Sequence, residues 1–102
     1  MSGIADIKAE DRRAEILRLL AADIHESASN SVLHRALNDR GPAFRASAAQ
    51  VLTDLSWLSE QGLVELDQLS EEITVATLTS HGRDVAAGDA SVPGVTRRTR
   101  GR

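Results

Sequence analysis

The strongest structural signal in this chain of 102 residues lies in residues 47–79, whose sequence is SAAQVLTDLSWLSEQGLVELDQLSEEITVATLT. Its start, Ser47-Ala48-Ala49-Gln50, matches a capping box, in which Ser and Gln side chains satisfy free backbone N–H groups at the beginning of a helix. Apolar side chains then recur at helical spacing, at Val51, Leu55 and Leu58. Gly62 supplies a C-terminal cap, so the pattern predicts a helix from about residue 47 to residue 61.

From Leu63 onward the apolar period changes to two, which is typical of a half-buried strand. Val64 and Leu66 alternate with acidic residues, and residues 73–79 are rich in β-branched side chains. The pattern predicts a two-stranded hairpin with a loose connection, because residues 68–72 lack the glycine of a tight turn. A last short helix is expected at residues 80–87, capped by Thr79 and closed by Gly88.

Two more helices are predicted before this stretch. The first covers residues 7–23, where apolar residues recur with a spacing of about four, at Ile16, Leu17, Leu20, Ala21 and Ile24. The polar stretch 25–30 is interpreted as a turn, and a short second helix follows it with Leu33, Ala36 and Leu37 on its buried face. Gly41-Pro42 ends this second helix.

The resulting order is helix, helix, helix, hairpin, helix. This is a mainly α chain with a small β-hairpin, and it predicts a winged helix-turn-helix with three helices, a two-stranded wing and a short C-terminal helix. A chain of 102 residues has room for a single core. We expect a flexible N-terminus at residues 1–6, the winged-helix domain at residues 7–88, and a flexible basic tail at residues 89–102.

Charge is distributed unevenly along the chain. The net charge is −3, from 12 basic and 15 acidic side chains. Four of the arginines lie in the last six residues, which contain no acid, so this tail carries +4 and the remaining eight basic and fifteen acidic side chains give residues 1–96 a charge of −7. The absence of cysteine excludes disulfides and thiolate metal sites, and apolar runs of at most four residues predict neither a membrane span nor a signal peptide.

Several of these segments also resemble a known family. The matching residues are the runs 54–64, 74–79, 84–88 and 92–95, together with Gly82. They are similar to small uncharacterised proteins of Mu-like bacteriophages and prophages, which are described as ArsR-like or winged-helix, and the similarity extends from about Glu15 to Val95. The resemblance implies a winged-helix fold, phage origin, location in the cytoplasm of a bacterial host and a role as a transcriptional regulator. ArsR-like metal sensors usually bind metal through cysteine, which this chain lacks, so no metal or other cofactor is expected.

The predicted fold places the third helix in the major groove of double-stranded DNA. The candidate contacts from this helix and the residues before it are Arg45, Ser47, Gln50 and Thr53. Phosphate contacts are expected from Arg35 and Arg40 of the second helix, and from the tail residues Arg97, Arg98, Arg100 and Arg102. The capping box by itself already accounts for Ser47 and Gln50. Trp57 is expected to pack against the hairpin or the first helix.

Two functions remain open from the sequence. The first is a phage-encoded DNA-binding regulator acting as a homodimer, because half-site recognition usually requires two copies. The alternative is a protein–protein interaction module without specific DNA binding, whose acidic wing contacts a phage or host protein. The alternative gains weight from Asp54 and Glu60 on the third helix and from Glu71-Glu72 in the wing. Motifs of hydrolases, P-loop proteins and zinc proteases are missing, so an enzyme is not expected.

Overall fold

The computed structural model describes residues 3–97. Within this range the elements are α1 (Ile4–Ala22), β1 (Ser27–Ser29), α2 (Asn30–Asp39), a 3₁₀ turn (Pro42–Phe44), α3 (Ala48–Glu60), β2 (Val64–Gln68), β3 (Thr74–Leu78) and α4 (Ser80–Ala87). The helix and hairpin order agrees with the prediction, and β1 is an additional element.

Local capping explains where three of the helices begin. The side chain of Ser29 accepts a hydrogen bond from the backbone N–H of Val32 at the start of α2, and Thr79 accepts one from Gly82 N–H at 3.0 Å at the start of α4. The predicted capping box is present at the start of α3. Gly88 ends α4 with a φ of 87°, the left-handed conformation that glycine adopts without steric cost.

The sheet has three strands, not the two that were predicted. β1 pairs antiparallel with β3, which also pairs with β2, so the strand order is β1-β3-β2. Ala28 of β1 lies opposite Ala76 of β3. The stretch Ser27-Ala28-Ser29 has one half-buried alanine between two serines, which is too short for a recognisable alternation, and its strand conformation is fixed by pairing with β3. The sequence pattern therefore predicted a turn where the fold places an edge strand.

The core is formed by apolar side chains from every helix and from the sheet. Its fully buried members include Ile16, Leu17, Leu20, Leu33, Leu37, Val51, Leu55, Leu58, Leu63 and Ala76. Ile24 was predicted to extend the buried stripe of α1 but is 89% exposed, because α1 ends at Ala22 before the stripe reaches it. Within residues 3–97, no helix is both long and apolar enough to cross a membrane.

The ordered structure extends beyond the predicted domain at both ends. α1 begins at Ile4, so residues 4–6 are helical. Residues 89–97 return across α1, where Arg13 Nη1 donates to Gly94 O at 2.9 Å, Thr96 N–H donates to Glu10 O, and Val95 is buried against the core. The described structure therefore continues past the predicted boundary at Gly88: the segment after α4, which has no periodic pattern, packs through Val95, with Ala90 and Val92 half-buried beside the core, and through backbone hydrogen bonds as far as Thr96.

These elements form a winged helix-turn-helix, and the predicted fold class is confirmed. α2 and α3 form the helix-turn-helix, and the β2–β3 hairpin is the wing. Because α1 packs against α2, α3 and α4, it serves as the scaffold that orients the helix-turn-helix. The exposed face of α3 is therefore presented on a rigid frame.

Two carboxylates at the α1–β1 turn make stability depend on pH. The pKa of Asp23 is lowered from its ordinary value of 3.8 because the backbone N–H groups of His25 and Ser27 donate to the carboxylate, and the pKa of Glu26 is lowered from 4.5 by its hydrogen bonds with Arg83. A carboxyl group with a lowered pKa in the folded state stabilises the fold above its unfolded pKa, and this contribution is lost as the pH falls through the folded value. We therefore expect stability to decrease below about pH 4.5.

The double variant D23N/E26Q tests this expectation by urea unfolding measured at a series of pH values. It should be less stable than the parent protein at neutral pH, and the difference should shrink as the pH is lowered toward 3, a value below both ordinary pKa values. A difference that stays constant with pH would contradict the assignment.

Candidate nucleic-acid interface

The N-terminus of α3 is held by a reciprocal cap. The backbone N–H of Ser47 donates to Gln50 Oε1 at 2.9 Å, and the backbone N–H of Gln50 donates to Ser47 Oγ at 3.1 Å. The interpretation of Ser47 and Gln50 as capping residues is confirmed. Both side chains are also exposed, and the cap engages Oε1 of Gln50, so a base contact that leaves the cap intact would use its Nε2 group.

Most of the exposed side chains in the first half of α3 are small and uncharged. Ala48, Ala49, Gln50 and Thr53 are all exposed, and Ser56 continues the same face. Thr53 Oγ1 donates to Ala49 O at 3.1 Å, so its hydroxyl is held against the backbone of α3. Leu52, which is 40% exposed, lies beside these residues, so the face combines small side chains with one bulky apolar side chain.

Asp54 does not belong to this exposed face. It is 1% exposed and accepts hydrogen bonds from Nε and Nη2 of Arg12, while Arg13 Nε lies 3.7 Å from its Oδ1. The carboxylate therefore faces α1, where two guanidinium groups compensate its charge. The sequence reasoning that counted Asp54 against a polyanionic partner was wrong, and within Ala48–Glu60 the remaining acid is Glu60, at the far end of the helix.

Trp57 lies between α3 and the scaffold, as predicted. The guanidinium carbon of Arg13 is 4.3 Å from the ring centroid, a cation–π geometry. Gly94 approaches from the C-terminal segment, where an added Cβ would lie 2.6 Å from Trp57 Cζ2. The half-buried ring of Trp57 therefore contacts both α1 and the segment after α4.

The turn that carries Arg45 is fixed by two side chains of α2. His34 Nε2 lies 2.9 Å from Ala46 O, and Asn38 Oδ1 accepts from Ala46 N–H at 3.1 Å. His34 is half-buried, and it was not among the residues selected from the sequence. The missed signal was its i,i+4 spacing from Asn38, which places two polar side chains on one side of α2, toward the turn.

The arginines that are candidates for DNA contacts lie in different environments. Arg35 and Arg45 are exposed on α2 and immediately before α3. Arg40 instead pairs with the buried Glu15 through Nε at 2.6 Å, beside Arg18, so its charge is already partly compensated. Arg97 is exposed where the C-terminal segment leaves α1, and the remaining tail candidates, Arg98, Arg100 and Arg102, lie outside the described residues.

The wing stands beside α3 and is acidic. A groove of about 430 Å³ lies between them, and its lining includes Leu52 of α3, Leu66 of β2 and the wing residues Glu71 and Glu72. Asn30 anchors the wing to α2, because its Nδ2 donates to Glu72 O at 3.2 Å and its Oδ1 accepts from the backbone N–H of Thr74. The carboxylates of the wing disfavour close contact with phosphate at this edge.

The fold and this interface define a winged-helix protein. Solved structures of H. salinarum RosR share the fold: a form grown from NaBr matches 76% of this chain and 67% of that chain with a TM-score of 0.66, and the complex of hsRosR-S1 matches 76% of this chain and 65% of that chain with a TM-score of 0.64, both at 22% identity. The chain therefore spans about two thirds of the RosR chain, and at this identity the likeness concerns the fold alone.

Sequence comparison identifies the family. The chain is 44% identical over 94 residues to the uncharacterized protein gp26 of Escherichia phage Mu, and the alignment covers 92% of this chain and 94% of that protein. The chain belongs to the family of this phage protein. No protein-family model matches the chain.

Proposed function

We propose that the protein is a phage DNA-binding transcriptional regulator that inserts α3 into the major groove of double-stranded DNA. The observation that carries the proposal is the burial of Asp54 against Arg12 and Arg13, which leaves the exposed N-terminal half of α3 free of acidic side chains. A helix of this composition can enter a groove lined by phosphates without electrostatic repulsion. Membership in a phage protein family supports the biological setting.

The proposed contacts follow from position and chemistry. Gln50 can offer hydrogen bonds to an adenine edge, and Arg45 can bind guanine or a phosphate. Arg35 is placed for a phosphate contact. The hydroxyl groups of Ser47 and Thr53 are already bonded within α3, so we assign them a supporting role in shaping the contact face. Arg40 would have to share its guanidinium between Glu15 and a phosphate, which makes it the weakest of these candidates.

The tail supplies charge that the folded body lacks. Arg97, Arg98, Arg100 and Arg102 follow Thr96, which is the last residue hydrogen-bonded to α1 within residues 3–97. A basic arm of this kind can follow the backbone or enter a minor groove. We propose that the arm contributes affinity, while α3 contributes sequence preference.

A salt titration tests both DNA binding by the full chain and the contribution of the tail to affinity. The full chain should bind duplex DNA with an affinity that falls as salt rises, and a chain ending at Thr96 should show a log–log slope smaller by up to about 3.6, because each neutralised phosphate contributes about 0.9. Truncation at Thr96 keeps Val95 in the core and therefore leaves the fold intact. Failure of the full chain to bind any duplex at low salt would refute DNA binding, and an unchanged slope would refute the role of the tail.

The variant Gln50→Glu distinguishes the capping role of Gln50 from its proposed role in DNA binding. Glutamate serves as well as glutamine in a capping box and is favoured near a helix N-terminus, so thermal stability should be unchanged. Affinity for the preferred duplex should fall about tenfold or more, because a base contact is lost and a negative charge is placed against the groove. Gln61→Glu is the matched control: it adds the same charge about 16 Å farther along α3, and it should leave affinity nearly unchanged. Equal effects of both variants in fluorescence anisotropy would contradict the assignment of Gln50.

A second candidate function is supported by the acidic wing. Residues 64–78 contain Glu65, Asp67, Glu71 and Glu72 and no basic residue. A wing of this charge suits a basic protein surface better than a phosphate backbone. If the full chain does not bind DNA, the interaction module becomes the better description, and the groove beside α3 becomes its contact site.

A further inference from the structure

Helix α3 contains no basic residue. Arginine and lysine make the commonest base-specific contact in the major groove, a pair of hydrogen bonds to O6 and N7 of guanine. Neither residue type occurs between Ala48 and Glu60, and Arg45, the nearest arginine, lies before the cap. The helix itself therefore lacks the side chains with which proteins usually read guanine.

Acidic side chains do not read cytosine from the first half of this helix either. A carboxylate can accept a hydrogen bond from the N4 amino group of cytosine. The carboxylate of Asp54, which is 1% exposed, is bound by Arg12, and Glu60 is the last residue of α3, about 15 Å from Gln50 along the helix axis. The exposed first half of α3 therefore has no charged side chain for a G·C pair.

The outward face of α3 offers methyl groups instead. At about 100° per residue, Ala49 and Thr53 lie on the side of the helix opposite the buried Val51, Leu55 and Leu58. Thr53 donates its hydroxyl proton to Ala49 O at 3.1 Å, so this proton is not available to a base. Because alanine and the methyl group of threonine contact the C5-methyl group of thymine in protein–DNA complexes, this face suits thymine.

Leu52 and Gln50 flank these two residues. Leu52, which is 40% exposed, adds apolar surface on the side of the wing, where it lines the groove with Leu66. On the other side, Gln50 Oε1 accepts the backbone N–H of Ser47, which leaves the Nε2 amide group as a donor. An A·T pair presents a methyl group and the acceptors thymine O4 and adenine N7 in the major groove. Apolar side chains beside an amide donor therefore match this edge.

We propose that α3 reads A·T base pairs, with Ala49, Leu52 and Thr53 against thymine methyl groups and with Gln50 donating to thymine O4 or adenine N7. The inference rests on the proposed function, because it specifies which base pairs the inserted helix recognises. A methyl contact carries no charge, so the preference for these base pairs should change little with salt, whereas the total affinity falls as salt rises.

Uracil substitution tests the methyl contacts directly, because uracil differs from thymine only by the missing C5-methyl group. The preferred duplex is first selected from a pool of random sequences with the full chain, and the selected site should be rich in A·T pairs. Replacing a contacted thymine by uracil should then weaken binding about threefold to fourfold in fluorescence anisotropy, because one buried methyl group is lost. The control is the same replacement in the flanking sequence, which should leave affinity unchanged.

Two variants assign the uracil effect to α3. Thr53→Ser removes one methyl group and keeps the hydroxyl that donates to Ala49 O, and Leu52→Ala removes most of an exposed apolar side chain. Each should lower affinity for the thymine duplex and reduce the penalty of uracil at the thymine it contacts, because the effects of removing two groups in contact are not additive. Thr77→Ser is the matched control: it makes the same change at an exposed position of β3, and it should leave both affinities unchanged.

The outcomes distinguish failure of this inference from failure of the proposed function. A selected site rich in G·C pairs, an affinity that does not change with uracil, or a uracil penalty of the same size in Thr53→Ser, Leu52→Ala and the parent protein would each overturn the inference. These three results are measured on a duplex that the protein binds, so they leave DNA binding itself standing. Failure to bind any duplex at low salt would instead refute the proposed function, and the inference with it.

Discussion

Replacing Asp54 by alanine is expected to lower the free energy of unfolding by about 3–5 kcal/mol, because it leaves the guanidinium of Arg12 buried without its carboxylate. Asp54 is 1% exposed, and Arg12 is bound to it by two hydrogen bonds. Since small domains are stable by only about 5–15 kcal/mol, this single change should bring the protein close to unfolding at moderate temperature. Urea unfolding, with the slope of the transition unchanged, measures the loss.

Two controls make the Asp54 result specific. Asp67→Ala removes an exposed acid of the wing, and its effect should stay within about 0.5 kcal/mol. The double variant R12M/D54L replaces the hydrogen-bonded pair by apolar groups and should recover part of the stability, since Arg13 then remains without the carboxylate but keeps its contacts with Gly94 O and the Trp57 ring. A double variant that is as unstable as Asp54→Ala would show that packing, and not the buried charge, accounts for the loss.

Replacing Gly82 by alanine is expected to destabilise the protein by about 2–3 kcal/mol. An added Cβ would lie 2.0 Å from the carbonyl oxygen of Leu63 and 2.8 Å from Cδ1 of Leu78. That carbonyl accepts the backbone N–H of Thr79 at 3.1 Å, so moving it also disturbs the hydrogen bond at the start of α4. Backbone atoms cannot move aside as the end of a flexible side chain can.

The sign of the stability change caused by Gly82→Ala distinguishes the steric clash from the effect of helix propensity. Intrinsic helix propensity alone predicts that alanine at this position stabilises α4 by about 1 kcal/mol. His81→Ala, at the neighbouring exposed position of α4, tests propensity without the clash and should be neutral or slightly stabilising. Thermal unfolding of the two variants should therefore shift in opposite directions. A stabilising Gly82→Ala would show that α4 does not approach Leu63 as closely as described.

Local chemistry made much of the fold predictable. The capping box at Ser47 and Gln50, the helix stop at Gly41-Pro42 and the left-handed cap at Gly88 are encoded by adjacent residues, and the structure contains them where the sequence places them. Strand β1 was missed because three small residues carry no periodic signal. The packing of residues 89–96 was missed because it depends on Val95 and on backbone hydrogen bonds to α1.

The candidate site was predictable only in part. Gln50 and Arg45 could be selected as candidate DNA contacts because their position relative to a predicted helix start can be counted along the chain. The roles of Asp54 and Arg40 could not be obtained this way, since each depends on a partner far away in sequence, Arg12 and Glu15. A charge count along α3 treats Asp54 as a repulsive surface charge, whereas the fold neutralises it.

Residues 47–79, from which the fold was inferred, show which features depend on neighbouring residues in the sequence and which depend on tertiary structure. Periodicity and capping are properties of neighbouring residues, so the chain alone specified α3, the wing and their order. The orientation of α3 and the direction in which Asp54 points depend on how α1 packs across it, and α1 lies some forty residues away. The third strand and the close approach at Gly82 have the same origin, because distances between segments arise only when the core assembles.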